Sequence, residues 1–311
     1  MAKVTGYRAR ERSTTTGTGT YSLAGAEPGF RTIVAAAGTG NTVRYMATDG
    51  KDWEVNDGVI TDATPDTLTR ATLIASSTGS AINWGAGTRD IYLLPPVEGR
   101  WLSRQILTVG SGTYTTPPDV KRILIRLVGS GGGGGGTDSA ASAIGLGGAG
   151  GAGGYSELII DNPSATYSYT VGAGGTGGSA GANAGNNGNT TSFGTGPLIQ
   201  ATGGGLGAAG AQGTSALART GGTGGVGSIG TINESGAIGE TGYRLSGTIG
   251  IGGEGGRSKF GAGGAPVTGS TAGNNGVSYG SGGSGGRSAA VSSDRAGGNG
   301  ADGVIIVDEY S

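Results

Sequence analysis

From residue 129 onward this chain is dominated by a residue that has no side chain, which restricts it to folds in which backbone packs directly on backbone. The apolar run Ile123-Leu124-Ile125-Arg126-Leu127-Val128 stops in Gly129-Ser130-Gly131-Gly132-Gly133-Gly134-Gly135-Gly136. Of 75 glycines in 311 residues, 15 lie before residue 129 and 60 from there on. They are periodic. Gly147, Gly150 and Gly153 fall in step, as do Gly148, Gly151 and Gly154, and the three-residue step recurs from Gly172, Gly221, Gly250 and Gly280. Three residues per turn is the period of polyproline II, a helix with no internal hydrogen bonds. Its amides must pair outward, and helices lacking Cβ atoms at two positions in three can approach closely enough to exchange N–H···O=C bonds.

A flexible linker is the competing reading of such composition. Here, however, runs of about 9 to 12 residues, roughly 30 Å at the polyproline rise, alternate with segments carrying Ile, Leu, Tyr and Phe and are bracketed by strands. Collagen needs an unbroken glycine at every third position and abundant proline. This chain has 9 prolines.

The length leaves room for two domains. A hydrophobic fraction of 34% and an aromatic fraction of 5% argue against a large oily core in the glycine-rich part. With a formal net charge of −1, a basic face for nucleic acid has no support. The chain contains no cysteine and no histidine, which removes disulfides, thiolate chemistry and imidazole acid–base catalysis. No cofactor and no metal is expected. Met1 to Tyr7 opens no apolar signal region, and no run approaches the ~20 residues that span a bilayer. These features predict synthesis as a soluble protein in the cytoplasm of the producing cell, without membrane insertion.

Residues 1–96 read as an all-β domain, a sandwich or small barrel. Strand signals fall at Thr20 to Leu23, Phe30 to Val34, Thr42 to Met46 and Trp53 to Val55, with turns at Asp49-Gly50 and Asp57-Gly58. Pro95-Pro96 ends the module. Residues 97–106 read as a connector with at most one helical turn. In the second domain, 107–311, strand signals at 121–128, 155–160, 167–171 and 304–307 enclose the glycine runs and give a β-framed bundle of polyproline II helices. Almost no α-helix is expected anywhere. Trp53, Trp84 and Trp101 are expected in core or intersubunit packing.

Two resemblances follow from ordered motifs. Thr14-Thr15-Thr16-Gly17-Thr18-Gly19-Thr20, Leu23-Ala24-Gly25-Ala26, Asp52-Trp53-Glu54-Val55, Leu68-Thr69-Arg70 and Ile82-Asn83-Trp84 resemble an N-terminal module of tailed-bacteriophage tail proteins over roughly residues 10–96. Asn56 stands where that pattern has glycine. The strand-then-polyglycine opening, Gly172-Ala173-Gly174-Gly175, Ser192-Phe193-Gly194 and the close Gly300 to Val307 resemble the glycine-rich domain at the C-termini of phage tail fibres and related adhesins. The resemblance implies a virion tail protein: a module that attaches to another tail or baseplate protein or builds a homotrimer, and a glycine lattice whose loops meet a bacterial surface receptor, an outer-membrane protein or glycan.

No enzymatic activity is expected. Gly129 to Gly134 satisfies G-x-G-x-x-G, but any glycine tract does and no helix pattern follows. Gly297 to Val304 fits a calcium-binding nonapeptide that works only in tandem, and it occurs once. Glu234, Glu240 and Glu254 are not held at any set separation as a glycan-cleaving pair. What remains is where side chains reappear between glycine runs, in 137–146, 206–220, 229–249, 265–279 and 287–296. The candidate receptor contacts there are Ile232, Tyr243, Arg244, Leu245, Val267, Tyr279 and Arg287, with Tyr243-Arg244 foremost because both types are enriched in binding hot spots. The same residues could instead cap the lattice or meet a neighbouring subunit. A non-binding capsid or tail decoration protein and an ice-binding protein are the alternative functions.

Overall fold

The computed structural model describes residues 8–95, 99–289 and 293–311. The chain forms two compact units, 1–98 and 99–311, each with its own core.

The first unit is a seven-stranded antiparallel sheet: β1 (Arg10–Ser13), β2 (Tyr21–Ser22), β3 (Thr42–Thr48), β4 (Trp53–Thr61), β5 (Thr67–Leu68), β6 (Thr72–Ser76) and β7 (Arg89–Leu93). The order is β1-β7-β3-β4-β5-β2, with β6 also on β4. Just after β2 the chain bonds back to β1, Ala24 N–H donating to the Arg12 carbonyl at 2.8 Å, so the sheet almost closes into a barrel. β3 shows the alternation expected of such a wall, with Val43, Tyr45 and Ala47 turned inward. The interior also holds Glu54, fully buried, which accepts from Tyr21 Oη at 2.7 Å and Ile82 N–H at 3.0 Å and pairs with Arg70. Trp84 Nε1 donates to Tyr21 Oη at 2.5 Å. This network sews the loops around residues 17–21 and 82–84 onto β4.

Two expectations change here. Phe30 to Val34 is not a strand, because Ile33–Ala37 forms a short helix, α1, whose first amides are taken by Thr32 Oγ1, from Ala35 N–H at 3.0 Å, and by the buried Glu11, from Ile33 N–H at 2.6 Å. Asp57-Gly58 is not a turn but the middle of β4; a Cβ on Gly58 would lie 1.8 Å from the Thr69 carbonyl oxygen, so glycine serves a close backbone crossing. Asp49-Gly50 is a turn, with Gly50 at φ +90° and Asp49 Oδ1 accepting from two following amides. Of the tryptophans only Trp84 is buried; Trp53 and Trp101 are 39% and 54% exposed.

The second unit begins with a β-sandwich. Its strands are β8 (Trp101–Leu107), β9 (Gly110–Thr115), β10 (Arg122–Val128), β12 (Tyr155–Asp161), β13 (Thr166–Val171), β14 (Thr191–Phe193), β15 (Ile199–Ala201), β17 (Gly227–Ser228), β18 (Ile232–Glu234) and β22 (Val304–Tyr310), while β11 (Gly145–Leu146) and β21 (Arg287–Ser288) pair with each other outside it. One sheet has the order β18-β12-β10-β22-β8 and the other β17-β15-β14-β13-β9, both antiparallel throughout. Ile123, Ile125, Leu127, Ile305 and Val307 from one sheet meet Tyr114, Tyr167, Phe193 and Ile199 from the other. Residues 101–106, part of the stretch read as a connector, therefore belong to an edge strand on β22; the exposed apolar Trp101 and Ile106 break the apolar–polar alternation that would have marked it. Residues 97 and 98 lie outside the described residues.

From this sandwich grows a lattice of extended runs. The run 129–137 shows its logic. Gly129, Gly132 and Gly135 donate to 154, 151 and 148; Ser130, Gly133 and Gly136 donate to 189, 186 and 183; Gly131, Gly134 and Thr137 donate to 301, 298 and 295. Its carbonyls accept from 175, 178 and 181, from 204, 207 and 210, and from 283 and 286. Three residues per turn with one donor and one acceptor each yield six directions, and each direction has its own neighbour. The runs 147–154 and 280–287 are likewise surrounded by six. Among the described residues, nine other runs stand around these three inner ones: 172–180, 183–189, 202–210, 220–226, 236–242, 252–257, 263–267, 273–276 and 295–303.

The glycines are demanded by approach rather than by torsion. A Cβ at Gly132 would sit 2.1 Å from the Gly205 carbonyl oxygen, and one at Gly150 2.0 Å from that of Gly132. Where an inner run carries a side chain it is a buried Ala149 or Ala152 or a buried Ser130, Ser281 or Ser284, with the buried Thr137 and Arg287 at the run ends.

Candidate functional site

Successive runs alternate in direction, away from the sandwich and back, as their antiparallel pairings require. The connections therefore divide between two ends. At the far end gather 138–146, 181–182, 211–219, 243–251, 268–272, 288–289 and 293–294; residues 290–292 lie outside the described residues.

The far-end loops are pinned from beneath. Arg244 is 7% exposed, and its guanidinium donates to the carbonyls of Ser215 (2.7 Å), Ile144 (2.9 Å) and Ala211 (3.0 Å), joining three connections. Burial, and then the charge of Arg219, lower its pKa from the ordinary arginine value. Arg287, 8% exposed, donates through Nε to the Gly250 carbonyl at 3.0 Å, while its own N–H reaches the Thr271 carbonyl at 3.1 Å. Asp138 accepts from Gln212 N–H at 2.6 Å, and Asp294 from Ser139 N–H at 2.8 Å. Ile144, Leu146 and Val267 are buried among these loops.

Over this base lies a three-stranded sheet of β16 (Leu217–Arg219), β19 (Gly242–Arg244) and β20 (Gly250–Ile251), paired 16-19-20. Strand alternation turns Arg244 inward and Tyr243 outward. Tyr243, opposite Ile251 in the ladder, is 53% exposed, and Leu245 and Ile249 are 68% and 58% exposed. The result is an aromatic and aliphatic surface on loops tied to one another by the Arg244 and Arg287 hydrogen bonds.

The seven candidate contacts are thus not one site. Tyr243 and Leu245 are displayed at the far end. Arg244, Val267 and Arg287 are there but buried, so they build the end rather than face outward; burial of two arginines is invisible to a sequence reading because their acceptors are backbone carbonyls from distant loops. Ile232, on β18, and Tyr279 are exposed near the opposite, sandwich end. Ile249 and Ile251 complete the far-end surface. Their separation from Tyr243 by the turn at 245–249 conceals that they share its face.

Catalytic and ligand patterns acquire other roles. The amides of 129–134 are each spent on a neighbouring run. Asn299 Oδ1 and Asp302 Oδ1, within the nonapeptide pattern, accept from Gly177 and Gly174 N–H, both at 2.8 Å. Glu234 pairs with Lys259 at 2.7 Å and Glu254 with Arg257 at 3.2 Å. Among the described residues no group of three or more acidic side chains could hold a metal ion, and no helix is long and apolar enough to cross a membrane.

A β-sandwich extended by a hydrogen-bonded glycine lattice defines the class of the second unit. The chain belongs to the glycine-rich domain family, whose profile matches residues 107–310. No curated protein matches the chain.

Proposed function

We propose that this chain is a structural virion protein of a tailed bacteriophage, a short tail fibre or tail-tip adhesin that recognises the bacterial surface through the far-end loops. The observation that carries the reading is the exposed Tyr243, Leu245, Ile249 and Ile251 held over loops pinned by Arg244 and Arg287. Ordering a binding surface before encounter reduces the entropy lost on binding, and aromatic side chains on a rigid base are typical anchors of recognition. The resemblance of residues 10–96 to phage tail modules supports attachment of the first unit to another tail or baseplate protein, and the resemblance to phage fibres supports a homotrimeric state. No catalytic role is assigned. The bacterial partner is a surface protein or glycan, and the protein's place is the virion tail.

The test uses the full chain. Labelled protein is applied to the bacteria that the corresponding phage infects, and virion adsorption is measured against increasing protein. Saturable binding with dose-dependent competition is the expected result, lost in the double variant Tyr243→Ser/Leu245→Ser while its thermal unfolding is unchanged. Full retention of binding by that variant would move the contact elsewhere. A folded wild-type protein that neither binds nor competes would leave a decoration or assembly role in its place.

A further inference from the structure

An open groove of about 690 Å3 lies on the flank of the second unit near the sandwich, lined by Phe260, Val277 and Tyr279 together with Asn275, Asn299 and Asp302. That volume is within the range of small-ligand sites. Phe260 is seated edge-on against Tyr155, with ring centres 6.2 Å apart at 74°, and Tyr279 is 45% exposed.

The polar side chains are fixed by one oxygen each. Asn299 Oδ1 and Asp302 Oδ1 accept lattice amides from the run 172–180, and Asn275 Oδ1 accepts from Asn299 N–H at 2.8 Å. Among the described residues, the Nδ2 amides of Asn275 and Asn299 and the second oxygen of Asp302 have no protein partner. Asn299 and Asp302 are one turn apart on a polyproline run, about 9 Å. The groove therefore presents two donors and one acceptor in fixed positions beside two aromatic rings.

We propose that this groove binds a neutral or amino-sugar oligosaccharide. A pyranose offers an apolar C–H face that packs on an aromatic ring and hydroxyls that pair with amides and carboxylates. Asp302 is the one acidic residue in the lining, which holds no Lys or Arg, so sialic, uronic and phosphorylated sugars find no cation to pair with there. The site is at the other end of the lattice from Tyr243 and does not rest on the adhesin reading.

The full chain is tested on an immobilised panel of neutral, amino and acidic hexopyranose oligosaccharides, followed by calorimetric titration of the tightest-binding member. Two variants leave the scaffold intact: Tyr279→Ala removes an exposed ring, and Asn299→Asp keeps the oxygen that caps Gly177 while replacing the free amide donor. Each is expected to weaken binding at least about tenfold, whereas Tyr243→Ser binds the sugar as the wild type does. The proposal is overturned if no neutral or amino oligosaccharide binds at millimolar concentration, if only acidic members bind, or if either groove variant binds with wild-type affinity. Loss of cell binding in Tyr243→Ser with sugar binding retained separates this site from the far end.

Discussion

A methyl group on Gly132 would enter the space of the Gly205 carbonyl, and the nearest atoms it would meet are all backbone of 204–205, so no rotamer can relieve the clash. Gly132→Ala is expected to destabilise the second unit by at least about 3 kcal/mol or to prevent its folding. Gly269→Ala is the control, because its Cβ would meet only Thr271 Cγ2 at 4.0 Å, and its melting temperature should stay close to wild type. Thermal unfolding followed by circular dichroism compares the two. Arg244 poses the converse case, a long side chain whose value lies in three carbonyls it ties together, of which Ile144 also accepts from Gly213 N–H while Ser215 and Ala211 have no other donor among the described residues. Arg244→Met is expected to cost about 2–4 kcal/mol and to speed hydrogen exchange in 211–219 and 243–251. The glycine requirement is legible one residue at a time; the arginine's role is not, since Ile144, Ala211 and Ser215 are far from it in sequence.

At the scale of elements, the three-residue glycine step marks a polyproline run only where several faces meet other backbones. Inner runs show it at two or three positions in three. The outer runs 236–242 and 273–276 keep glycine at only one position, Gly236-Gly239-Gly242 and Gly273-Gly276, because a single face meets an inner run while the others carry Ile238, Glu240 or Asn275 outward. The stretches 229–249 and 265–279 thus read as loops but each contain a run. Asparagine does the complementary work at the rim: where the next run is missing, a side-chain amide or oxygen takes the backbone group left over, as Asn187 does for Leu206 N–H at 2.9 Å.

Helix α1 gives a pH prediction at the same scale. Burial raises the Glu11 pKa above 4.5, with the hydrogen bond from Ile33 opposing it. The folded state then holds the proton more tightly than the unfolded chain, so this group makes the first unit more stable as pH falls through the folded pKa toward about 4.5. Asp308 acts in the opposite sense: burial opposes its ionisation, but Arg104 and Arg126 outweigh that and hold its pKa below 3.8, so its contribution to the second unit is lost only below that value. Denaturant midpoints between pH 7 and about 4.5 should rise for the first unit of the wild type, and Glu11→Gln should flatten that slope.

For the whole molecule, the most protected part is expected to be the one with the fewest side chains. The runs 129–137, 147–154 and 280–287 are enclosed by nine others and have their amides paired in several directions. Opening one of them means breaking bonds to as many as six neighbours. Hydrogen exchange read by mass spectrometry should therefore find these runs the slowest of the second unit, at least as slow as β10 and β22. Faster exchange there than in the outer runs would contradict the packing described.

The sequence alone determined the three-residue period, the β frame at 121–128 and 304–307, and the absence of thiol and imidazole chemistry, because each is a property of residues close together along the chain. The tertiary structure decided which run lies beside which, that Arg244 and Arg287 point inward, and that Tyr243 and Tyr279 stand at opposite ends. The physical reason lies in the lattice itself. A glycine run carries no side chain to specify its neighbour, so its place is set by where the sandwich strands release and recover the chain and by the few side chains that fix each turn.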